Sequence, residues 1–504
     1  MQRFPKGFLW GTSMAAFQHE MGASREAVDD NSDWYVWLHD ERNKASNVVS
    51  GDVPEYGPGY WDLYGNDHEW ARWLGLNAWR TNIEWSRIFP NSTRDVKVTT
   101  ISDDEGIKDI EVTKYAVGKL AELADGNSVR HYKAMFRDLK AKGMKLVLNL
   151  HHWTMPIWIH DAIGVRDKHP HAHARGWADE ETVVEFSKYA AYVAWEFDDL
   201  VDMWSTMTEP NLVWNEGYVT AKFPPGLRDA RAAERVAFNL AQAHARAFDQ
   251  VKRHVGKRAR VGVMYATSPS EPLTDSSADK EAARTSDEVS TKRFFEAVID
   301  GRIRRGFGRE EMTRADMRNK VDWIGVNYFS RTVVKWVEVP PFFEKQRNYG
   351  FLCQPHLNSA AGRPTSDSGW EIHPDGIRRA LELYKEYDKP LFVTSNGIAD
   401  AKDRHRAWYI LSHLHNIRLA IEEGLNVIGY LHWSLIDNLE WGSGFSERFG
   451  LMHVDMRTKK RSPRPSAFVF RDVVQGNGLP GNLSEHTRWP NALRRRDSET
   501  SQDI

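Results

Sequence analysis

Leu391-Phe392-Val393-Thr394-Ser395-Asn396-Gly397 reads as a buried strand that stops in a polar turn. Apolar β-formers lead in, and Asn-Gly ends the run. The same pattern recurs at 8–12, 77–83, 145–150, 200–207, 261–265, 321–328 and 427–433. Helical patterns separate these runs. Tyr132, Met135, Phe136 and Leu139 share one helix face, with Gly143 placed to stop it. Val183, Phe186, Ala190, Val193 and Phe197 mark a second helix, and longer ones are expected over about 232–254 and 404–422. Ile377, Leu381 and Tyr384 mark another, with Asp375 as its N-cap. Eight strands alternating with helices predict an α/β fold, a single (β/α)8 barrel with extended loop insertions. The barrel domain is expected over 1–484, with a tail at 485–504. A doubly wound sheet is disfavoured, because no Gly-rich phosphate loop follows any strand. The polar stretch 91–126 has no clear apolar period over most of its length and reads as an insertion.

Composition narrows the function. Lys and Arg number 68 against 70 Asp and Glu, a formal charge of -2. Neither nucleic acid nor an anionic membrane is called for as partner. The single cysteine, Cys353, excludes an internal disulfide framework and argues for a reducing compartment. Met1-Gln2-Arg3-Phe4-Pro5-Lys6 is not followed by an apolar signal core, and no run reaches membrane-spanning length. A cytoplasmic protein is expected. Tryptophan is abundant, at 21. That suits either extra packing or a cleft of flat apolar faces for sugar rings. His169, His171 and His173, with His160 nearby, form a His-rich stretch of the kind that can bind zinc. No ligand spacing of a structural zinc site is present, so a solvated loop is the preferred reading and no metal or cofactor is expected.

In such a barrel the C-terminal strand ends build the active site. Here they lead to Gln18, Arg80, His152 and Trp153, Glu209 and Asn211, Asn327 and Tyr328, Ser395 and Asn396, and Trp433, Glu440 and Trp441. Each has an ordinary structural explanation when taken singly: an ion pair for Arg80, a core pair for His151-His152, a loop acid for Glu209, packing for the tryptophans. Their joint occurrence at strand ends points to a site. The ring has hydrogen-bonding side chains and aromatic faces but no Lys/Arg cluster for phosphate.

The motifs are longer than this ring. They include Phe17-Gln18-His19-Glu20-Met21-Gly22, Glu84-Trp85-Ser86-Arg87-Ile88-Phe89-Pro90, Asp322-Trp323-Ile324-Gly325-Val326-Asn327-Tyr328, Asn396-Gly397-Ile398-Ala399-Asp400 and Asp437-Asn438-Leu439-Glu440-Trp441. With them the chain resembles glycoside hydrolase family 1 over nearly its whole length, and within it the archaeal β-glycosidases of β-galactosidase/β-glucosidase type. The resemblance implies a retaining mechanism, with two carboxyl groups about 5–5.5 Å apart. It implies that Glu209 is the acid/base and that the nucleophile position is 395. It implies that Arg80 and Tyr328 orient the nucleophilic carboxylate. Gln18, His152 and Glu440 would bind sugar hydroxyls, Trp433 would lie under the ring, and Trp441 would contact its outer hydroxyls. Trp153, Thr208, Asn327 and Phe449 complete the expected substrate-binding set. Small β-glycosides or oligosaccharides are the implied substrates, and a homo-oligomer, tetramer or dimer, is implied with 91–126 as a candidate contact.

Two departures stand out. The tetrad that should read Thr-Glu-Asn-Gly is Thr394-Ser395-Asn396-Gly397, and Thr208 stands where the family's asparagine binds the sugar 2-hydroxyl. A serine without a neighbouring base is a poor nucleophile and lacks the charge that stabilises an oxocarbenium-like transition state. Hydrolysis is therefore expected to be severely impaired. Glu447, where relatives often carry a neutral residue, bears on substrate choice. Two readings remain open: a replaced nucleophile that leaves a glycosynthase-type scaffold, or natural divergence toward a sugar-binding pseudoenzyme or a transglycosylase using another route. An independent serine nucleophile is disfavoured, since no Gly-x-Ser-x-Gly elbow surrounds Ser395.

Overall fold

The computed structural model describes residues 2–481, so the expected domain boundary at 484 and the tail lie outside the described residues. Eight parallel strands close into a barrel: β1 Leu9–Ser13, β2 Ala78–Asn82, β3 Lys145–Asn149, β4 Met203–Thr208, β5 Val261–Ala266, β6 Trp323–Asn327, β7 Leu391–Asn396 and β8 Val427–His432. One helix after each strand forms the outer layer: α1 Tyr60–Leu74, α2 Gly126–Ala141, α3 Glu181–Phe197, α4 Ala230–Val255, α5 Ser277–Asp287, α6 Gly376–Glu382, α7 Arg406–Glu422 and α8 Pro465–Gly476. The (β/α)8 expectation is met, and each predicted strand overlaps an observed one. Gly143 ends α2 at a φ of 81°, which glycine adopts without steric cost.

The barrel interior is filled. Leu9, Ala78, Val147, Met203, Met264, Trp323, Phe392 and Leu431, one from each strand, form a buried cluster of their own. Gly262 makes this possible: a Cβ there would lie 2.4 Å from the Trp323 indole. With the centre plugged, the barrel offers space for a ligand at its mouth and no channel through it.

Two ladders break near the C-terminal ends. The register shifts between Ser205 and Thr208 on β4, and between Val393 and Asn396 on β7. Such irregularities bend a strand and re-aim the next side chains. They fall on the strands that deliver positions 209 and 395.

The insertion is more ordered than its sequence suggests. Strands Thr99–Asp103 and Gly106–Glu111 form a hairpin, and Lys114–Leu123 is a helix. The hairpin docks on α4: the Ile107 N–H donates to the Gln242 carboxamide oxygen at 2.8 Å, and Gln250 donates to the Ile110 carbonyl at 2.7 Å. Its apolar face is only a few residues long, and its partner lies over a hundred residues away, so local periodicity could not reveal it. Asp375 precedes α6 but does not cap it. Its backbone is already helical, and its side chain makes no capping bond. In the His-rich stretch, His160 pairs with buried Asp33 at 2.6 Å and His169 with Asp229 at 2.9 Å. Among the described residues no group of three or more His, Cys, Asp or Glu is placed to hold a metal ion.

Candidate active site

The mouth of the barrel gathers the polar strand ends into one buried ring. Glu209 follows β4 directly and starts a helix at Pro210, with its own backbone left-handed at φ 52°, ψ 53°. For a non-glycine residue this conformation carries strain and persists where surrounding structure enforces it. Trp153, at φ 73°, and Trp441, at φ 48°, share the feature. The Glu209 N–H donates to the Met264 carbonyl at 2.8 Å, which fixes the turn. The Asn327 amide donates to Glu209 Oε1 at 2.8 Å. Thr394 in turn donates its hydroxyl proton to Asn327 Oδ1 at 2.7 Å. This chain of bonds links the end of β4, through β6, to the residue preceding Ser395.

Burial drives the electrostatics. Burial raises the Glu209 pKa above the ordinary carboxylate range, opposed by the Asn327 hydrogen bond and the Arg80 charge. Arg80 is buried, and desolvation lowers its pKa to about 10, with Glu209 acting in the other direction. Its guanidinium hydrogen-bonds to the Thr208 hydroxyl and to His152 Nδ1, the latter at 3.4 Å. Burial holds His152 neutral, reinforced by the neighbouring Arg80 charge. Thr208 thus takes part in the site through Arg80.

The aromatic wall is continuous. Trp153 lies against Trp441 with ring centroids 4.6 Å apart, and His152 lies 5.7 Å from Trp441 and 6.4 Å from Trp433. Trp433 and Phe449 share a buried cluster, and Trp370 packs against Phe449 at 5.9 Å. At the rim, Gln18 donates to Glu440 at 3.2 Å and to the Leu439 carbonyl at 2.9 Å, while its own Oε1 is buried without a partner. Burial raises Glu440 to about 8, helped by the nearby Glu447 charge. Glu447 accepts the Ser368 hydroxyl at 2.5 Å. Gln18, Arg80, His152, Trp153, Thr208, Glu209, Asn327, Trp433, Glu440, Trp441 and Phe449 all lie in this ring or its supporting wall. Ser395, buried, is the penultimate residue of β7 and pairs with Asn327 on β6. Asn396 points the other way, donating to the Tyr328 carbonyl and to Tyr409 on α7.

Tyr328 is the exception. Its hydroxyl donates to the His373 carbonyl at 2.6 Å, on the helix side of the barrel wall, and it does not join Arg80. Strand alternation is the reason. Asn327 faces the site, so Tyr328 faces out, and the next inward residue is Phe329. Phe329 packs on Trp370 at 5.6 Å and on Phe449 at 6.3 Å. Counting by two from Asn327 would have found it. Asn211 also falls outside the ring's chemistry, its amide bound to the Ala266 carbonyl at 2.9 Å. An acid network below the ring was not anticipated. Glu84 accepts from the Phe17 N–H, Asn82 and Thr154, and burial raises it to about 8. Glu20 accepts from Arg87 and Tyr132 and is raised to about 7 by burial.

Residues 1–101 and 118–479 match the profile of glycosyl hydrolase family 1. The chain belongs to that family. The unmatched internal residues, 102–117, lie within the insertion. The β-galactosidase of Saccharolobus solfataricus is 44% identical over 489 residues, 96% of this chain and 98% of that one. The β-glycosidase of the hyperthermophile Thermosphaera aggregans superposes with a TM-score of 0.91 at 45% identity, covering 96% of this chain and 99% of the other. A β-glucosidase mutant derived from a hyperthermophilic tetrameric structure gives a TM-score of 0.88 at 43% identity, covering 96% and 98%. As a family-1 chain, the protein has the scaffold of an O-glycosyl hydrolase. Among the described residues no helix is long and apolar enough to cross a membrane.

Proposed function

We propose that this mouth processes terminal non-reducing β-D-glucosides and β-D-galactosides, with Glu209 as the acid/base and no internal carboxylate nucleophile. The observation that carries the reading is Glu209 itself. It is buried, anchored by Asn327, and biased by burial toward the protonated form that a general acid needs. Gln18, His152, Glu440 and Trp441 bind sugar hydroxyls, and Trp433 with Phe449 supplies the flat apolar face. Ser395 occupies the nucleophile position, so hydrolysis by this chain is severely impaired. A donor with a good leaving group on the opposite face avoids the first step. Supplied with α-glucosyl fluoride, the chain acts as a glycosynthase in which Glu209 activates the acceptor hydroxyl as general base. The test is incubation of α-glucosyl fluoride with an acceptor sugar. β-Linked product supports the reading, and neither product nor sugar binding refutes it.

A second reading has specific support. Thr208, Phe329 and Ser395 lie in one ring, and each lacks the group that carboxylate chemistry would use there. Such co-occurrence favours natural divergence, to a sugar-binding protein or a transglycosylase using another route, over a single replaced residue. Retained sugar binding without β-linked product from the fluoride selects the sugar-binding form. Assembly into a homo-oligomer is part of the proposal, supported by a relative derived from a tetrameric structure and by Ile101, Tyr115 and Leu123 exposed on the insertion. A cytoplasmic location rests on the single free cysteine, Cys353.

A further inference from the structure

Glu84 is buried and bonds to both segments that carry the sugar-binding side chains Gln18 and His152. The first segment is the short helix Ala16–His19, which holds Gln18. Its leading N–H groups need acceptors from elsewhere, because Ala15 offers no side-chain cap. The end of β2 and the residues just after it supply them. The Ala16 N–H donates to Asn82 Oδ1 at 2.8 Å, and the Phe17 N–H donates to Glu84 Oε1 at 3.0 Å. The Asn82 amide also donates to Glu84 Oε1, at 2.8 Å, so the two acceptors are fixed against each other. Phe17, held this way, stacks on Trp441 with the rings 6° from parallel and their centroids 5.8 Å apart.

The second segment is the turn after β3. The Thr154 hydroxyl donates to Glu84 Oε2 at 2.5 Å, and the Thr154 N–H donates to the His152 carbonyl at 2.9 Å. Between His152 and Thr154 sits Trp153, with its backbone at φ 73°. Such a conformation persists where neighbours enforce it. Glu84 is fixed in turn by its own N–H, which donates to the Tyr132 hydroxyl at 3.1 Å. One carboxyl group therefore joins the segment of Gln18 to that of His152 and Trp153, one oxygen to each. We propose that Glu84 is a positioning residue for sugar recognition, which sets the placement of Gln18 relative to His152 through these bonds. This rests on the reading of the mouth as a β-glycoside site given above. The role needs the bonds and no charge. Burial favours the protonated form of Glu84, whose carbonyl oxygen accepts both N–H groups and whose hydroxyl stays bonded to Thr154. A glutamine has the same shape and can make the same bonds.

The experiment is titration calorimetry of the full chain with 4-nitrophenyl β-glucoside, which impaired hydrolysis leaves intact. Glu84→Ala is expected to weaken binding about 10- to 100-fold, the scale of a displaced positioning group. Glu84→Gln keeps the affinity of the parent. Thr154→Val cuts the bond to Oε2 alone and weakens binding, and Thr154→Ser restores it. This second pair decides the matter where Glu84→Ala does not fold. Arg314→Met is the control for lost stability alone, since Arg314 pins the insertion hairpin through the Glu105 and Ile107 carbonyls. It lowers Tm and leaves affinity unchanged. In the S395E background kcat/KM follows the same order, with the glutamine and serine variants near their parent and the alanine and valine variants below it. Folded Glu84→Ala and Thr154→Val that bind as tightly as the parent overturn the proposal and leave the glycosidase reading standing. So does Glu84→Gln as weak as Glu84→Ala, or an equal loss in Arg314→Met. No binding by the parent and no hydrolysis by folded S395E overturn the glycosidase reading, and the positioning role with it.

Discussion

Asn327 holds Glu209 by a 2.8 Å hydrogen bond, and the direction of that bond is set from behind by the Thr394 hydroxyl. Because Thr394 donates to Oδ1, the amide must present its N–H to the carboxylate. The bond favours the ionised form of Glu209 and works against burial. Removing it in Asn327→Ala raises the Glu209 pKa further. Thr394→Val, which frees the amide to turn, raises it by less. Carbon-13 NMR titration of glutamate-labelled protein, with Glu209→Gln as the assignment control, measures both shifts.

Restoring the carboxylate tests the proposed nucleophile position. Ser395→Glu is expected to recover aryl β-glycoside hydrolysis by several orders of magnitude and to give a folded protein of higher Tm. The Tm gain reflects the new Arg80–carboxylate pair, since breaking a buried pair typically costs about 3–5 kcal/mol. Folded S395E without hydrolysis would count against the catalytic assignment.

Phe329 sets a second limit. If it stands where a phenol should meet the carboxylate, Phe329→Tyr in the S395E background adds roughly 10- to 100-fold in kcat/KM, the worth of a hydrogen bond to a charged group, about 1.5–3 kcal/mol. Phe329→Tyr alone gains nothing. Tyr328→Phe, by contrast, affects stability through the lost bond to His373 and leaves the rate near that of its parent.

The acid network below the ring governs the pH dependence of stability. Glu84 and Glu20 have folded pKa values near 8 and 7, raised by burial above the ordinary 4.5. The folded state therefore holds more protons than the unfolded state between about pH 4.5 and 8, and stability falls as pH rises through that window. Each such acid contributes a slope of about 1.4 kcal/mol per pH unit. Glu84→Gln keeps an acceptor for the Phe17 N–H and for Asn82, and its amide donates to Thr154. The fall in Tm from pH 5 to 8 is expected to be shallower in Glu84→Gln than in the parent, as measured by calorimetry.

Much of this protein was legible along the chain. The eight apolar runs and the helical patterns between them specify the barrel, because strand and helix periodicities are local. The residues at the strand ends specify most of the mouth, since every second side chain at a strand's C-terminal end faces it. The same sequence shows that position 395 carries no carboxylate. Only the tertiary structure decided which neighbours meet. Facing depends on the register shifts in β4 and β7 and on alternation at Asn327, which turned Tyr328 outward and brought Phe329 in. The hairpin on α4, the absence of a cap at Asp375, and the placement of Glu84 and Glu20 beneath the ring all depend on partners distant in sequence. So does the state of Arg80. Its charge was evident from the sequence, but its burial among neutral partners follows from strands that come together only when the barrel closes.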